Sequence, residues 1–227
     1  MSWARSTVAV MPERVVHCAE ALAWLGQAVL PADHAVVTSL PDSSEVKLDP
    51  EAWERWFVGA AGAVLAATHE QSVAVFYQSD VRRDGRWIDK SFLVQLAARQ
   101  AGASLLFHKI VCRAPAGTIT PGRPGYAHLL AFSRAFSLPS DRNAAFADVL
   151  PSMGKMTWTR AMGSAACEAS CQFLRAATSA RVIVDPFCGV GTMLAFANAY
   201  GFDAIGVELS AKRAALAREL QIFTKRG

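Results

Sequence analysis

The segment 181–192 carries the clearest chemical signal in the sequence. It contains Val-Ile-Val-Asp185 followed by Pro-Phe-Cys-Gly-Val-Gly-Thr192, the pattern of a strand that ends in a carboxylate and passes through a glycine turn into a helix. Gly189 and Gly191 have no Cβ, so the backbone there can approach a ligand closely. Because ligands of open α/β sheets bind at the carboxyl ends of the strands, the segment predicts a ligand site beside Asp185.

A second acidic residue follows one helix and one short strand later. Glu208 ends the candidate strand 204–207, where a carboxylate can accept hydrogen bonds from both hydroxyls of a ribose. Leu194 stands where the dinucleotide fingerprint GxGxxG has its third glycine, which disfavours NAD and FAD. These features together predict a cofactor of the adenosine type.

The two acidic segments resemble the cofactor motifs of a known family. Asp185-Pro-Phe-Cys-Gly-Val-Gly-Thr192, followed by Gly206-Val-Glu208, is similar to the DPFxGxGT…GxE pattern of amino-directed DNA and RNA methyltransferases that use S-adenosylmethionine. The resemblance implies that Asp185 and the glycine loop hold the methionine end of this cofactor and that Glu208 holds the ribose. It also implies a Rossmann-like class I methyltransferase fold, an α/β fold with a mostly parallel sheet and helices on both faces.

The order of the motifs along the chain resembles a circularly permuted class within that family. Most relatives carry the cofactor loop near the N-terminus, whereas about forty residues of this sequence follow it. The turn around Glu20 resembles the family's acidic turn on the adenine side, and segment 33–42 resembles its catalytic strand end. Segment 105–134 resembles the late hairpin, and Trp158-Thr159 lies where the family has a turn at the methionine end. The cofactor-binding residues that the resemblance implies are Asp185, Pro186, Phe187, Gly189, Gly191, Thr192, Glu208, Trp158, Thr159 and Glu20.

The catalytic turn departs from the family's pattern. The family has Asp, Asn or Ser followed by Pro-Pro-Tyr or Pro-Pro-Phe, and this chain has Ser39-Leu40-Pro41-Asp42. In the family, a side-chain oxygen and a backbone carbonyl of this turn accept hydrogen bonds from the target amino group, while the aromatic ring stacks on the extruded base. Ser39, Pro41 and Asp42 are the catalytic candidates. Asp42 can accept the amino proton, act as a base, or only cap the turn.

Basic and aromatic residues near the predicted active edge are candidates for contacts with nucleic acid. Segment 82–87 holds three arginines and a tryptophan, which can grip phosphates and stack a base or form a solvated charged turn. Further candidates flank the Pro/Gly-rich loop 112–126. The full set is Arg82, Arg83, Arg86, Trp87, Lys109, Arg123 and Tyr126.

Strands and helices alternate along the sequence as in an α/β sheet. The candidate strands are 7–11, 35–38, 73–78, 105–111, 129–133, 182–184 and 204–207. The candidate helices are 19–30, 50–67, 88–101, 161–176, 192–199 and 211–223. We expect one domain over 1–227, with a catalytic-turn half at 1–137, a linker at 138–160 and a cofactor-loop half at 161–227.

Composition excludes several classes of protein. Hydrophobic residues make up 52% and charged residues 19% of the 227 residues, which disfavours disorder. Apolar runs stop short of a membrane span, and the start of the sequence does not resemble a secretory signal, so a cytoplasmic location is expected. The five cysteines are read as reduced thiols. The histidines show no ligand spacing, so no metal is expected.

The sequence therefore predicts methyl transfer from S-adenosylmethionine to a base nitrogen of nucleic acid. Little chain is left for a target-recognition region, which favours structured, tRNA-like RNA recognised by shape over DNA. Two alternatives stay open. A small-molecule methyltransferase or a catalytically inactive cofactor-binding subunit would also account for the altered turn at 39–42.

Overall fold

The computed structural model describes residues 12–139 and 146–222. The candidate strand 7–11 lies outside these described residues. The strands are β1 (Arg14–Cys18), β2 (His34–Thr38), β3 (Ala74–Gln78), β4 (Val81–Arg83), β5 (Arg86–Ile88), β6 (Ser104–Cys112), β7 (Tyr126–Ser133), β8 (Val149–Leu150), β9 (Val182–Asp185) and β10 (Asp203–Glu208). The helices are α1 (Ala21–Leu25), α2 (Pro50–Ala67), α3 (Lys90–Gln100), α4 (Ser164–Ala177), α5 (Thr192–Ala199) and α6 (Ala211–Glu219).

Eight of the described strands form one sheet in the order β1-β10-β9-β2-β3-β7-β6-β8. The five strands from β1 to β3 in that order are parallel, β7 runs antiparallel to both β3 and β6, and β8 is parallel to β6. Strands β9 and β2 therefore end side by side at one edge of the sheet. This edge carries both the predicted cofactor loop and the predicted catalytic turn.

Helices cover both faces of the sheet, as in doubly wound folds. On one face, α4, α5 and α6 contribute to a buried cluster that includes Phe173, Leu194 and Ala217. On the other face, α2 packs the fully buried Trp53 and Phe57 against the sheet, and α3 contributes the buried Leu93 and Val94. The central strands are apolar on both faces because each face is covered by helices.

Most of the predicted elements are found, with corrections at their ends. Helices 50–67 and 192–199 have the predicted bounds, and Asp49 caps the first of them by accepting a hydrogen bond from the Ala52 amide. The helix expected at 19–30 covers only Ala21–Leu25, because Glu20 caps its start and the chain leaves the helix at Gly26.

Four of the described strands, β1, β4, β5 and β8, were not predicted. Strand β1 pairs with β10 at the edge of the sheet, and β8 lies within the segment expected to be only a linker. The arginine-rich segment forms the hairpin β4–β5 rather than a simple turn. Its Asp84 and Gly85 both have positive φ, which matches the Asp-Gly preference of tight hairpins.

None of the described helices combines the length and the apolar character needed to cross a membrane.

Gly206 and Gly62 allow a matched test of the packing beneath the cofactor edge. A Cβ at Gly206 would lie 2.5 Å from Leu194 Cδ1 and 2.8 Å from Cys188 Sγ, whereas a Cβ at Gly62 meets nothing within 4 Å. We expect Gly206→Ala to lower the free energy of unfolding by about 1–3 kcal/mol because of overpacking. Gly62→Ala should raise it by about 0.5–1 kcal/mol because alanine favours the helix. Urea unfolding measures both, and equal effects would contradict this packing.

Candidate functional site

A cavity of about 410 Å³ opens at the carboxyl edge of the sheet. This volume lies in the range of small-molecule sites. The cavity lies between the ends of β2, β9 and β10, and it brings together the predicted cofactor loop and the predicted catalytic turn. The predicted site residues that line it are Glu20, Ser39, Pro41, Trp158, Asp185, Pro186, Phe187, Gly189, Thr192 and Glu208. Three of the predicted catalytic and cofactor-binding residues, Asp42, Thr159 and Gly191, are not among its lining residues.

Asp185 is buried at the end of β9, with 5% of its surface exposed. The Thr38 hydroxyl donates a hydrogen bond to Asp185 Oδ1 over 2.6 Å, and the Phe187 amide donates to the same oxygen over 3.1 Å. Burial raises the pKa of Asp185 to about 7, the two hydrogen bonds oppose that rise, and the nearby Glu208 adds to it. Sequence reasoning missed Thr38, because only the pairing of β2 with β9 brings its hydroxyl to Asp185.

Glu208 is held by a guanidinium and a backbone amide. Arg213 Nε donates to Glu208 Oε1 over 2.9 Å, and Arg213 Nη2 forms an ion pair with the same oxygen over 2.8 Å. The Ser210 amide donates to the same oxygen over 2.7 Å. No hydrogen bond from a described residue reaches Oε2, so this oxygen is available to a ligand hydroxyl. Sequence reasoning also missed Arg213. Its position in the first turn of α6 is a signal that its side chain can reach the end of β10.

The glycine loop requires a backbone that other residues rarely adopt. Gly191 has φ +84°, and a Cβ there would lie 2.8 Å from the Cα of Ala217. The loop is fixed to the 157–160 turn by a hydrogen bond between the hydroxyls of Thr192 and Thr157. Trp158 consequently lines the cavity while its neighbour Thr159 does not.

The predicted catalytic turn lines the cavity with Ser39, Leu40 and Pro41, and Leu40 is buried. The Asp42 carboxylate instead forms an ion pair with Lys90, whose side chain is 3% exposed. Glu45, just beyond the turn, forms an ion pair with Arg160 over 3.2 Å, and both residues line the cavity. Sequence reasoning missed Lys90, Glu45 and Arg160, since each is paired across a long stretch of chain.

The predicted nucleic-acid residues lie outside the cavity. In the β4–β5 hairpin, the Arg82 guanidinium lies 6.0 Å from the centre of the Trp87 ring, and Arg83 Nη1 is buried without a hydrogen-bond partner among the described residues. Arg86 lies on the same hairpin, and its side chain is exposed.

The other predicted nucleic-acid residues lie near the β6–β7 hairpin. Arg123 is exposed in the loop that joins β6 to β7, and Tyr126 begins β7 with 40% of its surface exposed. The Lys109 ammonium is engaged within the protein, because it pairs with Asp148 over 2.6 Å and lies over the Phe146 ring.

Asp80, Asp89 and His128 offer ligand atoms within 4.8 Å of one another, a grouping that the spacing of histidines along the sequence did not predict. Both carboxylates already accept hydrogen bonds from backbone amides at the start of α3. Asp80 Oδ1 accepts from the Lys90 amide and Asp89 Oδ1 from the Phe92 amide, each over 2.9 Å. The positive end of a helix dipole favours carboxylates there and opposes a cation. Helix capping therefore accounts for the cluster.

Neither the protein-family models nor the curated protein sequences contain a match to this chain. Solved structures do match. A candidate DNA modification methylase from Thermus thermophilus has a TM-score of 0.71 and 20% identity over 91% of this chain and 93% of its own. A structure of the same protein in complex with S-adenosylmethionine has a TM-score of 0.68 and 22% identity over 91% of this chain and 92% of its own.

The cytosine-N4-specific PvuII DNA methyltransferase is a further structural neighbour. It has a TM-score of 0.72 and 15% identity, over 93% of this chain and 89% of its own. At such identities the likeness concerns the fold. It confirms the predicted Rossmann-like fold of class I methyltransferases, with a mostly parallel sheet between two layers of helices.

Asp185 should make the stability of the protein depend on pH. Its pKa is raised to about 7 in the folded chain from an ordinary value of about 3.9. This carboxyl therefore stabilises the fold fully below about pH 4, and the stabilisation is lost as the pH rises through 7, on the order of a few kcal/mol in total. Asp185→Asn should remove this dependence. Urea unfolding between pH 5 and 8 tests it, and parallel stability curves for the two proteins would contradict it.

Proposed function

We propose that this protein transfers a methyl group from S-adenosylmethionine to a base nitrogen of nucleic acid. The observation that carries the proposal is that one cavity contains both the acidic cofactor edge, Asp185 and Glu208, and the catalytic-turn residue Ser39. A neighbour with the same fold is known in complex with S-adenosylmethionine, which supports the choice of cofactor.

The cavity fits the parts of this cofactor. Glu208 Oε2 can accept hydrogen bonds from ribose hydroxyls, since Arg213 and Ser210 occupy only Oε1. Asp185 and the glycine loop would hold the methionine end, and the ionised form of Asp185 would pair with its amino group. Trp56, Trp158 and Phe187 supply apolar aromatic surface.

Transfer requires an aligned nitrogen with an available lone pair. When bound, S-adenosylmethionine supplies the electrophilic methyl group. We propose that the Ser39 hydroxyl and the Leu40 carbonyl accept hydrogen bonds from the target amino group, which directs its lone pair towards the methyl carbon. Pro41 restricts the backbone of the turn and so holds these two acceptors in place.

We also propose that the chain is one circularly permuted domain. The doubly wound order is 3-2-1-4-5-6 when strands are counted from the glycine-loop strand. If β9 and β10 are counted first and second, β1, β2 and β3 become third, fourth and fifth, and the sheet order reads 3-2-1-4-5. Strand β8, from the predicted linker, pairs with β6 in the same sheet, which supports a single domain.

The expected preference for structured RNA gains no support from the structural neighbours, which are named as DNA methylases. The preference rested on the small size of the chain. Yet the chain covers 93% and 89% of the lengths of two such neighbours, so its size does not disfavour DNA. We therefore propose DNA as the first substrate to test and structured RNA as the second. The comparisons do not favour the small-molecule alternative.

The central test measures cofactor binding and methyl transfer together. Wild-type protein should bind S-adenosylmethionine in calorimetry and transfer labelled methyl groups to DNA or RNA. Glu208→Ala should weaken cofactor binding strongly, because it removes a charged acceptor. Ser39→Ala should lower single-turnover transfer while cofactor affinity stays within twofold.

The outcomes separate the alternatives. Transfer to a metabolite extract but to neither nucleic acid would favour the small-molecule enzyme. Cofactor binding without transfer to any substrate would favour the inactive subunit. Unchanged cofactor affinity in both Glu208→Ala and Asp185→Ala would contradict the cofactor site itself.

The β4–β5 hairpin should contribute to nucleic-acid affinity through phosphates. The exposure of Arg82 and Arg86 supports this, because exposed guanidinium groups can reach phosphate oxygens. Replacing Arg82, Arg83 and Arg86 by alanine should flatten the slope of log affinity against log salt by about 2–3. A triple-alanine variant with the wild-type slope would make the hairpin a solvated face.

A further inference from the structure

Lys90, the first residue of α3, is a buried cation beside the catalytic turn. Its side chain is 3% exposed, and its ammonium forms an ion pair with Asp42 Oδ1. The ammonium also lies 5.9 Å from the centre of the Phe57 ring. A buried ammonium is costly unless it is paired, so Lys90 strongly favours an arrangement in which Asp42 stays beside it.

The position of Lys90 is fixed independently of its side chain. Its backbone amide donates to Asp80 Oδ1 over 2.9 Å. Asp80 is in turn held by His128 Nε2 over 3.1 Å, and His128 Nδ1 shares a hydrogen bond with His108 Nε2 over 2.9 Å. The start of α3 is therefore a rigid anchor, and the Lys90 side chain extends from it to the turn.

The ion pair leaves one carboxylate oxygen of Asp42 available. The Asp42 side chain is 42% exposed, and no hydrogen bond from a described residue reaches its Oδ2. The backbone of Asp42 is also fixed, because its amide donates to Glu45 Oε2 over 3.1 Å and its carbonyl accepts from the Glu45 amide over 2.8 Å. Lys90 thus occupies Oδ1 and leaves Oδ2 without a hydrogen-bond donor among the described residues.

We propose that Lys90 is a positioning residue that holds the Asp42 carboxylate so that Oδ2 accepts the proton released in methyl transfer. This inference rests on the proposed function. In the transfer, a bond forms between the substrate nitrogen and the methyl carbon, and the bond between sulfur and that carbon breaks, its electron pair remaining on sulfur. The nitrogen then loses a proton to Oδ2, from which water removes it because Asp42 is partly exposed.

Side-chain variants separate this role from folding, because the Lys90 amide and its bond to Asp80 remain in each. Lys90→Met keeps the length of the side chain and removes the charge, and the partly exposed Asp42 can then be solvated. Asp42→Asn removes the negative charge of the same ion pair. Arg55→Met is the matched control, since it removes a cation from the exposed pair between Arg55 and Glu51 on α2.

The first readout is independent of activity. Amide hydrogen exchange across residues 39–46 should become about tenfold faster in Lys90→Met and in Asp42→Asn, and it should not change in Arg55→Met. Unchanged exchange in both variants overturns the proposal, whatever the substrate of the protein. If Lys90→Met fails to fold, Asp42→Asn still decides the matter, because the Asn side-chain oxygen still offers the buried Lys90 ammonium a hydrogen-bond acceptor.

The second readout is the split between turnover and binding. Lys90→Met and Asp42→Asn should each lower kcat about 10²-fold, the scale of general-base loss, while KM for S-adenosylmethionine stays within twofold. The double variant should have a kcat no lower than that of Asp42→Asn alone, because both substitutions act through one carboxylate. A kcat loss in the double variant that equals the product of the two single losses overturns the proposal. If the wild-type protein transfers no methyl group, the proposed function is refuted and with it the proton-accepting role of Asp42 Oδ2. The hydrogen-exchange data still decide, in that case, whether Lys90 holds the turn at residues 39–42.

Discussion

The hydrogen bond from the Thr38 hydroxyl to the Asp185 carboxyl is the contact on which the active edge depends. It joins the ends of β2 and β9, which are neighbours in the sheet and 147 residues apart in the chain. An unpaired buried carboxyl would be costly, and this bond, with that from Phe187, lets an acidic group remain at the strand end. The catalytic turn starts one residue after Thr38 and the glycine loop one residue after Asp185, so this contact sets their separation.

The two acidic strand ends are stabilised by different means. Asp185 is surrounded by neutral donors and apolar side chains, so burial raises its pKa to about 7. Glu208 lies at the same edge but receives the guanidinium of Arg213, which balances its charge. The edge therefore carries less negative charge at neutral pH than its two carboxyl groups suggest. A ligand with one cationic group meets a carboxyl at Asp185 that ionises readily when that cation arrives.

Local signals made the acidic strand ends and the glycine loop predictable from the sequence. Asp185, the glycine loop and Glu208 are close along the chain. Their residue types indicate, in order, the end of a strand, a turn before a helix and the end of a second strand. Arg213, Lys90 and Thr38 could not be predicted in the same way, because their roles arise from pairings between distant elements. Strand β1 was missed for a similar reason: its exposed edge position leaves a weak apolar pattern, and only its pairing with β10 reveals it. The β4–β5 hairpin does have a local signal, because the pair Asp84-Gly85 favours a tight turn between two strands.

The residues at the predicted catalytic turn restrict how a base could be bound there. The residue that would be an aromatic platform in the resembling family is Asp42, and its carboxylate is bound to the buried ammonium of Lys90. A carboxylate in this place cannot stack on a base. If a base enters this site, the rings that contact it must come from other segments. Trp56 and Trp158 already line the cavity, from a helix and a loop rather than from the turn, so the aromatic contact and the hydrogen-bond acceptors would be contributed by separate parts of the chain.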